Sequence, residues 1–571
     1  MKTNDSFTPW DKLYPYKGTM YHGTWPTLKE LFEITVERFG WRVCWKEFIP
    51  KPVSYTYSEA LPIVKGIASW LLSSGIRKGD KVIVSGKNSV AWGFGYFAVI
   101  FAGATVVPLD NALSDEEFIR LAKFSDSVAM LADSNRLKNV ASDLPMKAVA
   151  CLEENGPAEW IMHKSAEYVE PEPCSEDDIA QILFTSGTTG TPKGVMLTHR
   201  NLVSDIFLSQ ANMNIFETDV FYAILPIHHA YTLLAVFLEA MGVGASVVFG
   251  KKLVVSQMLK DLKEGEVTMF LGVPMLFNKM YGAVMAGLKQ KGRLAYGTIR
   301  GLMGISGWLK RAFGFNVGKH WFKFLLKKLS LDTNRICICG GGPLPASTFR
   351  GFNELGIDFV QGYGLTETSP ITHLNPIYAF KESSVGKVVA GTECKIVDPD
   401  EDGNGLIYIR GPQVMKGYYK NPEATAEVLD QDGWLNTGDI GQVDEKDYLY
   451  LSGRAKSVIV SEGGKNIFPE EIEDKFQLYS EIEQLCVIGY IKDKQSAGEH
   501  VRVIIFPSQA FAEGKTAEAI QERMEQIVKE VNATLLPYKR IEMVTVADEP
   551  LSMTSSKKVR RAEVSRRYEI A

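Results

Sequence analysis

Helical stretches and short apolar strands alternate along most of this chain, and few folds accommodate that order. Residues 57–74 place apolar side chains at helical spacing, Gly75 ends the helix, and the apolar strand Lys81–Ser85 follows. Further apolar strands are predicted at 247–249, 267–271 and Ile336–Cys339. Repeated passages from helix to apolar strand indicate an α/β protein with largely parallel sheets.

An uncharged stretch at 90–109 is long enough to span a membrane. It contains Gly93, Gly95, Gly103 and Pro108, and its last residues form an apolar, β-branched run. Doubly wound sheets require such fully buried helices and strands. We therefore predict a buried helix that leads into a buried strand, and not a membrane span.

The pattern of predicted helices and strands changes twice toward the carboxyl end. From about Ser384 short strands and turns replace the long helices, and from about Ser457 a block with its own strands and a charged helix at 516–533 follows. That last block is large enough to form a small α+β domain. We predict a large N-terminal body at 1–455, with stacked α/β sheets and a distorted β subdomain, and a C-terminal domain at 456–571.

Composition excludes several classes of protein. The net charge of −5 argues against a general nucleic-acid binder, so no nucleic acid is expected as a partner. Seven cysteines without metal-ligand spacing indicate a reducing compartment and no structural zinc. Residues 1–10 are polar and lack the pattern of a targeting signal. The expected location is therefore the cytoplasm.

The sharpest motif is at 182–195, where an apolar strand enters a loop rich in glycine, serine and threonine. Its glycines let backbone amides turn toward a ligand, and its hydroxyls and one lysine can hold phosphate oxygens. The loop is no Walker motif, because the second required glycine falls on Pro192 and Gly194 follows Lys193. We interpret it as a different kind of phosphate-binding loop.

Residues 184–194 (FTSGTTGTPKG) resemble the phosphate-binding signature of the adenylate-forming enzymes, which include acyl-CoA synthetases, luciferases and peptide-synthetase adenylation domains. Further segments resemble that family in its own order: 225–230, 340–345, 361–368, 434–439, 453–457 and 549–561. The resemblance extends from about Tyr55 to Arg561, with the long-chain fatty-acid–CoA ligases among the most similar members.

The resemblance implies a nucleotide site and a metal site. The residues expected to bind nucleotide are Thr185, Ser186, Gly187, Thr188, Thr189, Gly190, Lys193, Gly341, Gly342, Gln361, Gly362, Tyr363, Gly364, Thr366, Asp439, Arg454 and Lys456. Tyr363 offers a flat face to adenine, and Asp439 can accept hydrogen bonds from ribose hydroxyls. Arg454 either reinforces the sugar contact or forms a surface ion pair. Glu367 is a hard oxygen ligand for Mg²⁺, with Thr185 as a second ligand or a contact through water.

Two further residues are expected to take part in the chemistry. His229 corresponds to the family's histidine beside the acyl substrate. Lys558 corresponds to the catalytic lysine of a mobile C-terminal domain that pivots at Lys456. Lys557 replaces the usual glycine before that lysine, which leaves open which of the two inserts, or whether both are solvated in a basic tail.

The resemblance implies ATP- and Mg²⁺-dependent activation of a carboxylic acid to acyl-AMP, followed by thioester formation with coenzyme A. Residues 267–331 contain no acidic residue and eleven basic ones, with aromatic residues interleaved. This composition suits contact of residues 283–331 with a membrane surface, where a long- or medium-chain fatty acid would be collected. A solvated basic face that attracts pyrophosphate or coenzyme A is the alternative.

Two other functions remain open. The enzyme could transfer the acyl group to a carrier-protein thiol, or the chain could be a non-catalytic relative that binds nucleotide or lipid at a membrane. The intact loop, Glu367, Asp439 and Lys558 argue against the second. The sequence gives no indication of oligomeric state.

Overall fold

The computed structural model describes residues 8–185, 192–251, 254–492, 498–553 and 559–568. Within these residues the strands form five sheets, and two large sheets build most of the N-terminal body. The predicted α/β class with a smaller α+β C-terminal part is confirmed.

The first large sheet has seven strands with a parallel centre. Its strands in spatial order are Gly417–Tyr418, Lys193–Thr198, Ile179–Thr185, Thr105–Pro108, Lys81–Ser85, Ser127–Ala132 and Ala148–Cys151. The first two strands pair antiparallel at one edge, which agrees with a largely parallel sheet. The reason is local, because a loop as short as the one between Thr185 and Lys193 joins antiparallel strands only.

The second large sheet has nine strands. In spatial order they are Lys387–Val388, Ile371–Leu374, Asp358–Gly364, Ile336–Cys339, Met269–Gly272, Val220–Ala223, Ser246–Phe249, Val43–Glu47 and Val53–Thr56. The six central strands are parallel and the outer ones antiparallel. Strands Ile336–Cys339 and Asp358–Gly364 lie side by side, which brings their carboxyl ends to one edge of the sheet.

Helices pack between and outside these sheets. Those of the body are Leu28–Phe39, Tyr57–Ser73, Val90–Phe101, Asp115–Phe124, Ser134–Val140, His199–Leu208, Glu239–Val243, Val255–Glu264, Pro274–Lys289, Arg293–Phe313, Gly318–Trp321, Lys323–Lys328, Ala346–Glu354 and Pro422–Ala426, with a π-helical segment at Leu233–Leu238. Every residue of Val90–Phe101 is buried, and the buried strand Thr105–Pro108 follows, as predicted for the uncharged stretch. Across the described ranges no helix combines the length and apolarity needed to cross a bilayer.

A four-stranded antiparallel sheet forms the β subdomain that the short strands and turns after about Ser384 predicted. Its strands are Glu393–Val397, Gly405–Arg410, Leu435–Val443 and Leu449–Arg454. The last strand begins at Leu449, two residues later than the sequence suggested, because Asp447 has a positive φ of 63° in the preceding turn. Asp439 and Arg454 are partners across the two final strands.

The C-terminal residues form cores of their own. Strands Ile482–Tyr490, His500–Pro507 and Ile541–Val546 form one sheet, Ile459–Val460 pairs with Asn466–Ile467, and the helices are Pro469–Glu473, Gln509–Ala512, Ala517–Asn532 and Arg561–Arg567. The long helix packs its apolar side, including Met524 and Ile527, into this core. The division of the chain at 455 stays a prediction.

Candidate active site

The described members of the predicted site lie mostly at the ends of strands or in the turns that follow them. Thr185 ends one strand and Lys193 begins the next, while Gly341 and Gly342 follow the strand Ile336–Cys339. The strand Asp358–Gly364 ends with Gln361, Gly362, Tyr363 and Gly364, and the turn after it contains Thr366 and Glu367. Arg454 ends the strand Leu449–Arg454. Ser186, Gly187, Thr188, Thr189, Gly190 and Lys558 lie outside the described residues.

Thr185 and Lys193 are register partners at the mouth of the phosphate loop. The Thr185 hydroxyl donates to the Lys193 carbonyl at 3.5 Å, so both residues are fixed where the loop begins and ends. The second strand of the pair continues into helix His199–Leu208, whose amino end is capped by reciprocal hydrogen bonds between Thr198 and Asn201. This strand–loop–strand–helix unit gives the loop a rigid base.

A tyrosine that the sequence did not single out joins the lysine to the predicted metal ligand. The Lys193 ammonium lies 4.6 Å from the centre of the Tyr418 ring. The Tyr418 hydroxyl donates to Glu367 Oε1 at 2.9 Å. Burial, followed by the nearby Glu367 carboxylate, raises the pKa of the Tyr418 hydroxyl, which keeps it protonated as a donor. The three side chains form one connected group.

The turn that carries Glu367 is held tightly from both sides. A Cβ at Gly364 would lie 1.5 Å from the Pro370 carbonyl oxygen, so any side chain there would force the backbone of the turn to move. The Thr368 hydroxyl bonds the backbone of the same turn, and the Glu367 carbonyl accepts from the Met415 amide at 2.8 Å. The carboxylate is therefore presented from a backbone with little freedom.

Tyr363, Asp439 and Arg454 form a second connected group. The Tyr363 hydroxyl donates to Asp439 Oδ2 at 2.6 Å, and Arg454 Nε pairs with Oδ1 at 2.7 Å. Asp439 is buried, whereas Arg454 is exposed. Burial first, and then the Asp439 charge, raise the pKa of the Tyr363 hydroxyl. An acceptor fixed by two donors matches the recognition of a diol, the arrangement expected for ribose.

A buried histidine supports the back of Tyr363. His373 is its register partner on the adjacent strand, with ring centres 5.9 Å apart. Burial lowers the pKa of His373 to about 3, so the ring is neutral at physiological pH. Its Nδ1 lies 3.1 Å from the Thr372 hydroxyl.

The glycine segment after Ile336–Cys339 lies against an aromatic ring. A Cβ at Gly340 would come within 3.0 Å of Tyr231, and Gly341 has a φ of 80° that favours glycine. The Tyr231 hydroxyl donates to the Ile338 carbonyl at 3.0 Å. Tyr231 therefore packs against the backbone that leads into Gly341 and Gly342.

His229 lies at the amino end of the short helix Ala230–Thr232, directly before the π-helical segment. Its ring centre is 4.2 Å from that of His228. His228 Nε2 lies 3.5 Å from Asp110 Oδ2. Burial disfavours the Asp110 charge, yet the contact with His228 outweighs it and holds the pKa of this carboxyl well below its usual range. The sequence pointed to His229, but not to the Asp110–His228 pair beside it.

Gln477 of the C-terminal residues contacts the segment that follows Gly341 and Gly342. The Gln477 side chain donates to the Pro343 carbonyl at 3.2 Å and accepts from the Asn278 amide at 2.9 Å. Lys456 is exposed in the turn Ala455–Ser457, next to Arg454. Arg561, which follows the segment containing Lys558, is anchored to Glu473 at 2.6 Å.

The residues present fit Mg²⁺ that arrives with nucleotide. No group of three or more His, Cys, Asp or Glu side chains suited to a metal occurs within the described parts of the chain. Mg²⁺ in nucleotide enzymes commonly takes one or two protein oxygens and completes its shell with phosphates and water. Glu367, oriented by Tyr418, and Thr185 supply oxygens of that kind.

The fold and these groups have the features of a nucleotide-binding enzyme, with the candidate site at the strand ends of an α/β body. The family model for the AMP-binding enzymes matches residues 32–419, and the model for the AMP-binding enzyme C-terminal domain matches 456–571. The chain therefore belongs to the AMP-binding, adenylate-forming enzymes. The predicted ATP, Mg²⁺ and coenzyme A are confirmed at the level of this family.

Relatives in the family differ in their acids and acceptors. The chain is 28% identical to a long-chain-fatty-acid–[acyl-carrier-protein] ligase of Arabidopsis thaliana, covering 95% of this chain and 86% of the relative. It is 30% identical to a feruloyl-CoA synthase of Amycolatopsis sp (90% and 94% covered) and 28% identical to a long-chain-fatty-acid–CoA ligase of Bacillus subtilis (85% and 85%). The structure of O-succinylbenzoate coenzyme A synthetase from B. subtilis with ATP and magnesium ion matches with a TM-score of 0.73 at 26% identity, covering 94% of this chain and 99% of that one.

Proposed function

We propose that this protein activates a long- or medium-chain fatty acid as acyl-AMP and then transfers the acyl group to coenzyme A. The observation that carries the proposal is the joining of Lys193, Tyr418 and Glu367 into one group. It combines a cation for phosphate oxygens with a carboxylate suited to Mg²⁺ beside the phosphate loop.

In the first step a carboxylate oxygen of the acid attacks the α-phosphorus of ATP. A P–O bond forms, the bond between the α-phosphorus and the bridging oxygen breaks, and pyrophosphate leaves with that electron pair. In the second step the sulfur of coenzyme A attacks the acyl carbonyl, the thiol proton is lost, and AMP leaves. The products are a thioester, AMP and pyrophosphate.

The first step brings two anions together, so the site must absorb negative charge. Lys193 is placed at the end of the phosphate loop, where it can neutralise phosphate oxygens. Magnesium bound with the nucleotide would supply further positive charge, held by Glu367 and Thr185. Tyr363 and Asp439 would hold the adenosine while the α-phosphate is attacked.

The proposal assigns the two steps to two positions of the C-terminal domain. Lys558 would neutralise charge in adenylation, and rotation at Lys456 would withdraw it for thioester formation. The exposure of Lys456 between the sheet strand Leu449–Arg454 and the separate C-terminal core supports a pivot there. The domain division at 455 and 456 is part of this proposal.

The acid and the acceptor are the finer parts of the proposal. Two of the relatives named above act on long-chain fatty acids by their names, and one acts on ferulic acid. Their acceptors are an acyl-carrier protein in one case and coenzyme A in the other two. A carrier-protein thiol is therefore the second candidate acceptor.

ATP–pyrophosphate exchange with acids of graded chain length tests the proposal. We expect exchange with fatty acids and none with ferulic acid, and thioester formation when coenzyme A is added. Exchange with ferulic acid alone would refute the fatty-acid assignment. Exchange with fatty acids followed by transfer to acyl-carrier protein but not to coenzyme A would establish the second acceptor, and no exchange with any acid would refute adenylation.

A further inference from the structure

The outward side of helix Arg293–Phe313 is apolar, which is the reverse of an ordinary surface helix. Its buried residues are Met303, Ser306 and Gly307, which face helix Ala346–Glu354. Its exposed residues include Leu294 (90% exposed), Ile305 (49%) and Trp308 (58%). Surface helices normally carry polar side chains on the solvent side. This helix therefore presents an apolar side without a partner among the described residues.

The apolar side continues into the segment that follows the helix. The helix begins after Gly292 and ends at Gly314, whose φ of 72° is left-handed. The rings of Trp308 and Phe313 lie 5.4 Å apart, and those of Phe313 and Phe315 6.3 Å apart. Trp321 and Phe324 are exposed on the next two short helices. We call residues 289–328 the basic helical surface.

The charge of this region is largely unbalanced. Of the eleven basic residues between 267 and 331, three pair with acids of the body: Arg300 with Glu354, Lys310 with Asp358, and Arg311 with Glu382. The other eight have no carboxylate within ion-pair distance in the described part of the protein: Lys279, Lys289, Lys291, Arg293, Lys319, Lys323, Lys327 and Lys328. Most of these side chains are exposed.

The three internal ion pairs have a different function from the unpaired cations. Lys310 is largely buried and also donates to Asn353 and the Ile357 carbonyl at 2.8 and 3.0 Å. Arg300 and Arg311 fix the same helix to the body at either side. These pairs fix the helix to the body, and the remaining positive charge is available to an anionic partner outside the chain.

We propose that the basic helical surface docks on an anionic lipid bilayer. Tryptophan and phenylalanine side chains prefer the boundary between headgroups and acyl chains, and lysines beside them can reach lipid phosphates. Seven cations of this surface have no acidic partner among the described residues, and without acids between them they match a plane of negative charge. Fatty acids dissolve in bilayers, so docking would also bring the enzyme to its acid; that consequence rests on the proposed function, whereas docking does not.

Vesicle sedimentation with the full-length protein tests the charge. We expect binding to phosphatidylcholine vesicles that contain phosphatidylserine and little binding to phosphatidylcholine alone. The triple variant Lys323→Gln, Lys327→Gln, Lys328→Gln should bind about 100-fold more weakly, since each basic residue near an anionic surface contributes roughly fivefold. A control variant with the exposed lysines of other elements replaced (Lys123→Gln, Lys138→Gln, Lys446→Gln) should bind like the natural protein.

A second variant tests the aromatic residues. Trp308→Ser with Phe315→Ser should weaken vesicle binding by about tenfold. Both side chains are mostly exposed, so their loss should not disturb folding. ATP–pyrophosphate exchange with a water-soluble acid that the protein accepts should therefore stay unchanged, which serves as the control for intact folding. Loss of docking with retained exchange supports the proposal even where the acid is not a fatty acid.

Three outcomes would overturn the proposal. The first is that the natural protein fails to bind phosphatidylserine vesicles at low salt. The second is that the control lysine variant loses as much binding as the triple variant of the basic helical surface. The third is that the aromatic variant converts a dimer to a monomer without changing vesicle binding. The last result would assign the surface to a second copy of this chain.

Discussion

Replacing Tyr418 with phenylalanine isolates one hydrogen bond in the candidate site. The change removes the hydroxyl that donates to Glu367 at 2.9 Å and keeps the ring that lies 4.6 Å from the Lys193 ammonium. Tyr418 is nearly buried within the main core, so the phenyl ring should stay in place. The variant therefore tests the orientation of the carboxylate without disturbing the lysine.

The expected magnitude follows from the environment of the bond. Hydrogen bonds to charged groups contribute about 1.5–3 kcal/mol, and Glu367 is only partly buried, so water can replace part of the loss. We expect a cost of about 1.4 kcal/mol, which is about tenfold in kcat/KM for ATP at limiting Mg²⁺. The deficit in exchange rate should shrink as Mg²⁺ and ATP are raised together to saturation, because the weakened step is binding of the metal–nucleotide complex.

The adjacent residue provides a matched control. Tyr419 also donates its hydroxyl to an acid, Asp126, at 2.7 Å, but near the surface. Tyr419→Phe should leave exchange and its Mg²⁺ dependence unchanged. The reasoning is refuted by an unaltered Mg²⁺ dependence in Tyr418→Phe, or by an equal loss in both variants, measured by ATP–pyrophosphate exchange across a Mg²⁺ titration.

Three further changes test other parts of the site and core. Lys558→Ala should reduce adenylation roughly 100-fold or more and leave thioester formation from supplied acyl-AMP largely intact; if Lys557→Ala does this instead, the assignment is off by one residue. Gly364→Ala should destabilise the fold by about 1–3 kcal/mol in urea unfolding, because its Cβ meets the Pro370 carbonyl; Gly362→Ala, with its nearest contact at 3.1 Å, should cost less. Burial raises the pKa of Glu239 to about 8, so the folded protein keeps a proton that the unfolded chain loses above about 4.5, and stability falls as pH rises between these values. Glu239→Gln does not titrate, so its stability relative to the natural protein should rise by on the order of 3 kcal/mol between about pH 5 and pH 9; a constant difference would contradict the buried charge penalty.

Local sequence signals located the elements and most of the candidate site. Motif residues such as Tyr363 and Asp439 each lie on a strand with a definite register, whereas the hydrogen bond between them joins two different sheets. The prediction of a buried helix and strand at 90–109 is confirmed, because the glycines and proline there fit these elements better than a membrane span. Whether Arg454 contacts ribose remains a prediction, although its ion pair with Asp439 places it beside that acceptor.

Local sequence patterns do not predict contacts between segments that are distant in the chain. Tyr418 is 51 residues from Glu367, and their contact depends on the antiparallel pairing of Gly417–Tyr418 with Lys193–Thr198. No spacing rule predicts such an edge strand, because its register is set by tertiary packing. The Asp110–His228 pair was missed for the same reason, since it joins the end of a strand in one sheet to a loop that follows a strand in the other.

In the proposed cycle, in which the C-terminal domain takes two positions, the hydrogen bonds of Gln477 help to set how often each position is occupied. Its hydrogen bonds to Asn278 and Pro343 are contacts that water can replace when the parts separate. Breaking them therefore changes the relative population of the arrangements by a small free energy. A ligand with a preference of only a few kcal/mol for one arrangement is then enough to shift most molecules into it. In this proposed cycle the chemical state of the bound acid and nucleotide can determine whether the domain is placed for adenylation or for thioester formation.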